Sequence, residues 1–175
     1  ASFYYEKSLY KDSPRSNLDQ TNTTSALKAI QTFANRHPNS GYMEEINRMA
    51  DELNKKLEVK AYENAKIFYK LGSYNSINYK SAVVAFTSFL YSYPESKYAE
   101  ELTYLRIDAQ YQLAKSSILT LQKERYYDAI EYYEYFIDKY ETSRYRRSAE
   151  SIFESIRDRI SKKEEAEASK RETIN

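Results

Sequence analysis

An all-α fold built from repeated helix pairs is what this sequence predicts, on three observations. Only two glycines and three prolines occur in 175 residues, too few for a turn-rich β protein and in keeping with long helices. Apolar residues recur at three-to-four spacing through most of the chain, the period of one helical face. A pattern of residue classes also occurs three times without a gap, at Ala26 to Tyr42, Ala82 to Tyr98 and Ala129 to Tyr145, which makes this a repeat protein.

The three copies read ALKAIQTFANRHPNSGY, AVVAFTSFLYSYPESKY and AIEYYEYFIDKYETSRY. Small residues align at Ala26, Ala82 and Ala129, large ones at Ile30, Phe86 and Tyr133 and again at Phe33, Phe89 and Phe136. His37, Tyr93 and Tyr140 follow, then Pro38, Pro94 and, breaking the pattern, Glu141. A proline there stops a helix, because it lacks an amide hydrogen and pushes the residue before it out of the α region. Ser40, Ser96 and Ser143 are then N-cap candidates for the next helix. Glu44, Glu45, Glu100 and Glu101 suit the positive end of a helix dipole.

In chain order, residues 3–10 (FYYEKSLY) form a helix with no capping residue ahead of it, which reads as the second half of a truncated helix. KDSPRSNLDQTNTT is a polar turn region, and Thr24 or Ser25 is expected to cap the helix of the first copy, which runs to about His37. From Gly41 to Leu71 there is no proline and no further glycine. That stretch predicts one long helix, or two with a bend near Lys55 and Lys56, ended by Gly72 as a C-cap. Ser73 to Asn78 form a loop, and Tyr79 opens the helix of the second copy. Another long helix is expected from about Lys97 to near Leu121, with a turn at Gln122 to Arg125 before the third copy. The last helix starts near Ser143, and its apolar spacing fades after Ser161. The expected organisation is a repeat domain over 1–163, with copies near 25–42, 79–98 and 126–145, and a charged tail over 164–175 that frays.

Twenty-seven basic and 26 acidic side chains leave a net charge of +1, so no global field draws the chain to nucleic acid. The absence of cysteine removes disulfides, thiolate chemistry and Cys-based zinc sites. No charged segment leads into an apolar signal-like stretch, and no 18-residue apolar run occurs. The single histidine, His37, has no second His or Cys to share a metal with and reads as a helix-end residue. Glu44/Glu45 and Glu100/Glu101 diverge around their helices and read as solvated charges rather than an acid–base pair. With no phosphate loop, metal cluster or nucleophile–base pair, catalytic, cofactor and metal residues are all assigned as none.

A binding role is therefore expected. The aromatic run from Tyr126 to Tyr135 supplies packing at Tyr133 and Phe136, while Tyr132 and Tyr135 fall off that phase and are candidates for a partner surface. Arg144, Arg146 and Arg147 cluster at a helix start, where the dipole disfavours them, and hint at an acidic partner. The loops that the copies do not share add Pro14, Arg15, Asp19, Gln20 and Tyr74 as candidate partner-binding residues.

Amphipathic helix pairs hinged at Pro-x-Ser follow tetratricopeptide logic, although the copies begin 56 and 47 residues apart rather than about 34. The fold class is thus a tetratricopeptide-like helical-repeat solenoid with long connecting helices. Ser13-Pro14-Arg15 with Leu18-Asp19-Gln20, HPNSGY, YPESKYAEE, KAYENAKIFYKLGSY and AIEYYEYFIDKYETSRY together resemble the BamD family of tetratricopeptide-type outer-membrane assembly lipoproteins of Gram-negative bacteria, and most of all its Bacteroidetes branch. The resemblance covers nearly the whole chain. It implies a scaffold of about five repeats on the periplasmic face of the outer membrane, tethered by a lipidated N-terminal cysteine. Such a scaffold binds the POTRA domains of the β-barrel insertase and helps deliver unfolded outer-membrane proteins. This chain would begin within the second repeat, without the anchor and the early repeats that take substrate peptides. A tetratricopeptide adaptor of another envelope complex is the alternative, and no nucleic-acid partner is expected.

Overall fold

A computed structural model describes residues 2–174. Among them are seven helices and no strand: α1 (Ser2–Lys11), α2 (Thr21–Arg36), α3 (Met43–Gly72), α4 (Ile77–Ser92), α5 (Ala99–Lys115), α6 (Leu119–Lys139) and α7 (Arg146–Ile174). The all-α, tetratricopeptide-like character expected from the repeats is what the chain has. Its residues fall into two compact units, Ala1–Glu63 and Asn64–Asn175, divided within α3. In the first, α1 packs on α2; in the second, α5 packs on α4, α6 and α7, and α6 on α7.

The repeat is visible in the backbone. Helices α2, α4 and α6 end ten residues after Ala26, Ala82 and Ala129, and α3, α5 and α7 begin 17 residues after the same alanines. His37, Tyr93 and Tyr140 share one conformation at these ends, with φ between −134° and −127° and ψ between 54° and 62°. Each donates its backbone N–H to the phenylalanine carbonyl four residues back, at 2.9, 2.8 and 2.9 Å. Its ring lies against that same phenylalanine, with centroids 5.1, 5.1 and 5.6 Å apart. The third copy makes this stop with Glu141 in place of proline, so the proline reinforces a geometry that the ring contact and the turn already set.

The serines do accept an amide, one turn ahead of the helix proper. Ser40, Ser96 and Ser143 Oγ take the N–H groups of Tyr42, Tyr98 and Tyr145 at 3.3, 3.0 and 3.0 Å. Their backbone carbonyls take those of Met43, Ala99 and Arg146. A serine-nucleated turn thus leads into each long helix.

Four expectations are corrected. Helix α2 starts at Thr21, not at Thr24 or Ser25, because Asp19 Oδ1 accepts from the Thr21 N–H at 3.0 Å and Gln20 Oε1 from the Thr23 hydroxyl at 2.8 Å. Helix α4 opens at Ile77 rather than Tyr79, since Asn75 Oδ1 receives the Ile77 N–H at 3.2 Å. Gly72 is the last residue of the unbroken α3 and not a left-handed C-cap, as no glycine has positive φ. The turn into the third copy lies at Ser116 to Ile118, not at Gln122 to Arg125. There Ser116 and Ser117 Oγ donate back to the Gln112 and Leu113 carbonyls at 3.0 and 2.5 Å, and Ile118 is extended. These hydroxyls compete with the helix ladder and end α5 without glycine or proline.

The cores repeat as well. Ala26, Ala82 and Ala129 are fully buried, which lets the partner helix approach closely. Ile46, Leu102 and Ala149, and then Leu53, Ala109 and Ile156, occupy matching positions with no exposure. Phe3, Ile30, Phe33, Ile46, Met49 and Leu53 make the core of the first unit. In the second unit Tyr126, Ala129, Ile156 and Ile160 form one cluster, and Ile107, Phe136 and Ala149 another. Tyr42 stacks on Phe3 at 4.1 Å and its counterpart Tyr145 on Tyr104 at 4.9 Å.

Candidate partner-binding surfaces

The aromatic run of α6 divides by helical phase. Tyr126 and Phe136 are buried, and Tyr133 stacks on Phe153 of α7 at 4.4 Å. Tyr135 is 46% exposed, while Tyr132 is partly buried against the Phe136 cluster. Both off-phase rings face one cation on α5: the Arg106 guanidinium carbon lies 4.2 Å from the Tyr132 centroid and 5.7 Å from that of Tyr135. From α4, Thr87 Oγ1 accepts from Arg106 Nη1 at 3.5 Å. Lys139, one turn beyond Tyr135, stands 5.8 Å from its ring. Three helices of the second unit therefore converge on Arg106. Burial pushes its proton affinity down, and the two tyrosines partly offset this.

Arg106 is absent from the residues expected at sequence level. Its signal was in the repeat: 24 residues after each copy's alanine stand Ala50, Arg106 and Phe153. A charge thus replaces an apolar residue at this repeat position.

The three arginines after Ser143 do not converge. Arg144 Nη2 donates to the Tyr145 hydroxyl at 2.5 Å, and that bond holds its proton affinity up. Arg146 pairs with Glu150 at 2.9 Å and donates to the Glu141 carbonyl at 2.9 Å, and Arg147 is exposed. Tyr74 stands 90% exposed in the turn between α3 and α4, with Ile77 exposed beside it.

In the first unit the loop before α2 is tied down rather than loose. Lys56 Nζ donates to the Ser13 carbonyl and hydroxyl at 3.2 and 3.0 Å, Lys60 Nζ to the Asn17 carbonyl at 3.0 Å, and Gln20 Nε2 to the Arg15 carbonyl at 2.7 Å. Hydrogen bonding to Thr21 holds the Asp19 carboxyl below its ordinary range. Asp19 and Gln20 thus shape the loop, Pro14 is partly buried, and Arg15 presents its side chain to solvent. His37 is exposed at the end of α2 against Phe33. Among the described residues no group of three or more His, Asp or Glu side chains could hold a metal ion, and no described helix is long and apolar enough to cross a membrane.

Compared with known proteins, residues 63–169 match the family YfiO, described as an outer membrane lipoprotein. No curated protein matches the chain. The matched segment and the second compact unit begin within one residue of each other.

Proposed function

The chain belongs to the YfiO family of outer membrane lipoproteins, and from that membership we propose that it is a non-catalytic scaffold of the β-barrel assembly machinery. It works on the periplasmic face of the outer membrane by holding the POTRA region of the barrel insertase, and so supports insertion of outer-membrane proteins. The observation that carries this reading is the family match over the whole of α4, α5 and α6 and most of α7. Within them α4 and α6 end alike and α5 and α7 begin alike, and stacked helix pairs of this kind bind partners by shape. In the matched segment Tyr74, Tyr132, Tyr135, Arg144, Arg146 and Arg147 are the surface residues offered to the insertase. Pro14, Arg15, Asp19 and Gln20 would contribute from the first unit, where Asp19 and Gln20 act by fixing the loop. Unfolded outer-membrane proteins are partners of the larger assembly.

Isothermal calorimetry with the POTRA domains of the same organism tests this. One-to-one binding is expected, and a folded, helical chain that gives no heat of binding removes the reading.

A further inference from the structure

Arg106 is a partly buried cation without a carboxylate. Its Nε is shielded from solvent and has no hydrogen-bond partner, and its hydrogen bond to Thr87 is at the outer limit of length. Asp128, on the neighbouring α6, is taken by Gln110 Nε2 at 2.9 Å. No described acidic side chain lies within ion-pair distance of Arg106. Desolvating a guanidinium without a counter-ion is costly, and ring faces return only part of that cost. Nor does the repeat require the charge, since Ala50 and Phe153 fill the same position in the other copies. What surrounds Arg106 is suited to an anion arriving from outside: Thr87 is exposed on one side, Tyr135 is half exposed on the other, and Lys139 adds a second cation beside Tyr135. The planar fork of arginine matches a carboxylate with two parallel hydrogen bonds, and rings that exclude water strengthen such a pair.

We propose that Arg106, cradled by Tyr132 and Tyr135 between α4 and α6, is the docking point for an aspartate or glutamate side chain of a folded protein partner. The inference rests on the scaffold reading above and gives it a contact: the partner's carboxylate closes onto the Arg106 terminal nitrogens, with Thr87 and Tyr135 as the rim. Replacing Arg106 leaves the partner's acid unpaired in a dry site, so the loss falls mainly on the lifetime of the complex.

Calorimetry of the full chain with the POTRA domains decides it through two variants. Arg106→Met keeps length and apolar bulk, and should weaken binding by about tenfold or more while the folded chain melts no lower than the parent. Thr87→Glu sits on an exposed position, supplies an internal carboxylate to Arg106 and should weaken binding comparably, and clearly more than Thr87→Gln, which has the same size without the charge. If the parent binds and both Arg106→Met and Thr87→Glu bind equally well, the docking point is wrong and the scaffold reading stands. If Arg106→Met fails to fold, Thr87→Glu against Thr87→Gln decides alone. If the parent does not bind, the scaffold reading fails, and photocrosslinking from p-benzoylphenylalanine at position 135 in cells tests the docking point separately. A crosslink to a partner segment containing Asp or Glu, lost with Thr87→Glu, upholds it. No crosslink, or one that Thr87→Glu leaves unchanged, overturns it.

Discussion

A methyl group added at Gly72 would meet a ring. A Cβ built there lies 2.4 Å from Tyr79 Cε1, well inside contact distance, so the glycine lets the start of α4 close onto the end of α3. Its backbone is ordinary helix, and alanine would by propensity alone stabilise the last turn by about 1 kcal/mol. Overpacking against a partly buried tyrosine outweighs that, at about 1–3 kcal/mol. Gly72→Ala should therefore destabilise the chain in urea unfolding, and combining it with Tyr79→Ala should cost less than the two separate losses summed. An alanine variant that is more stable than the parent would show that the ring moves aside freely. Glycine is a clear signal in the sequence, but it marks either a left-handed turn or a close approach, and only the neighbouring helix tells which. Arg106 has the same limit at residue scale: the repeat shows that the charge is out of place, whereas the tyrosines and threonine around it come from two other helices.

The helix ends of the three copies give a sharper test at the scale of the element. Tyr140 has the backbone of His37 and Tyr93, and Ser143 donates its N–H to the Tyr140 carbonyl at 3.1 Å, as Ser40 and Ser96 do to His37 and Tyr93 at 3.0 and 3.1 Å. Position 141 is thus already shaped for the proline that positions 38 and 94 carry, and Glu141 is exposed. Glu141→Pro should raise stability by about 0.4–1 kcal/mol by restricting the unfolded chain, while the Glu141 carbonyl stays available to Arg146. A lowered midpoint in thermal unfolding would mean that the third hinge differs from the other two. These hinges are legible in the sequence because proline, serine and the aromatic before them recur at fixed offsets. The stop of α5 is not, because Ser116 and Ser117 look like surface serines until their hydroxyls are seen bonded to the Gln112 and Leu113 carbonyls. The start of α2 is obscured likewise by a run of threonines, any of which could cap, when Asp19 does so instead.

At the scale of the whole molecule, tyrosines line the helix contacts of the second unit, Tyr126 buried and Tyr104, Tyr132 and Tyr133 partly so, and this exposes the fold to alkali. The Tyr69 hydroxyl donates to the Asp108 carboxylate, which also accepts from Gln112 Nε2 at 3.1 Å. Burial first, and the nearby Asp108 second, push the hydroxyls of Tyr79 and Tyr104 upward, and burial with the hydrogen bond to Asp108 pushes Tyr69 furthest. Burial is also the main cause of the upward shifts of Tyr126, Tyr132 and Tyr133. Each of these groups has a folded value raised above that of the unfolded chain, so the folded state holds its protons where the unfolded state releases them. Stability from this source is fully present below the unfolded value of about 10 and is lost as the pH rises from there toward the folded values. Part of the tyrosinate absorbance at 295 nm should therefore appear as a cooperative step coincident with the loss of helical ellipticity at 222 nm. Tyr69→Phe removes one such proton and leaves the Asp108 carboxylate with one donor fewer, so it should lower stability at neutral pH and make the alkaline transition shallower. If the absorbance at 295 nm is complete while the helices remain intact, the buried hydroxyls reach solvent without unfolding, and tyrosine packing in the second unit is looser than its ring contacts imply.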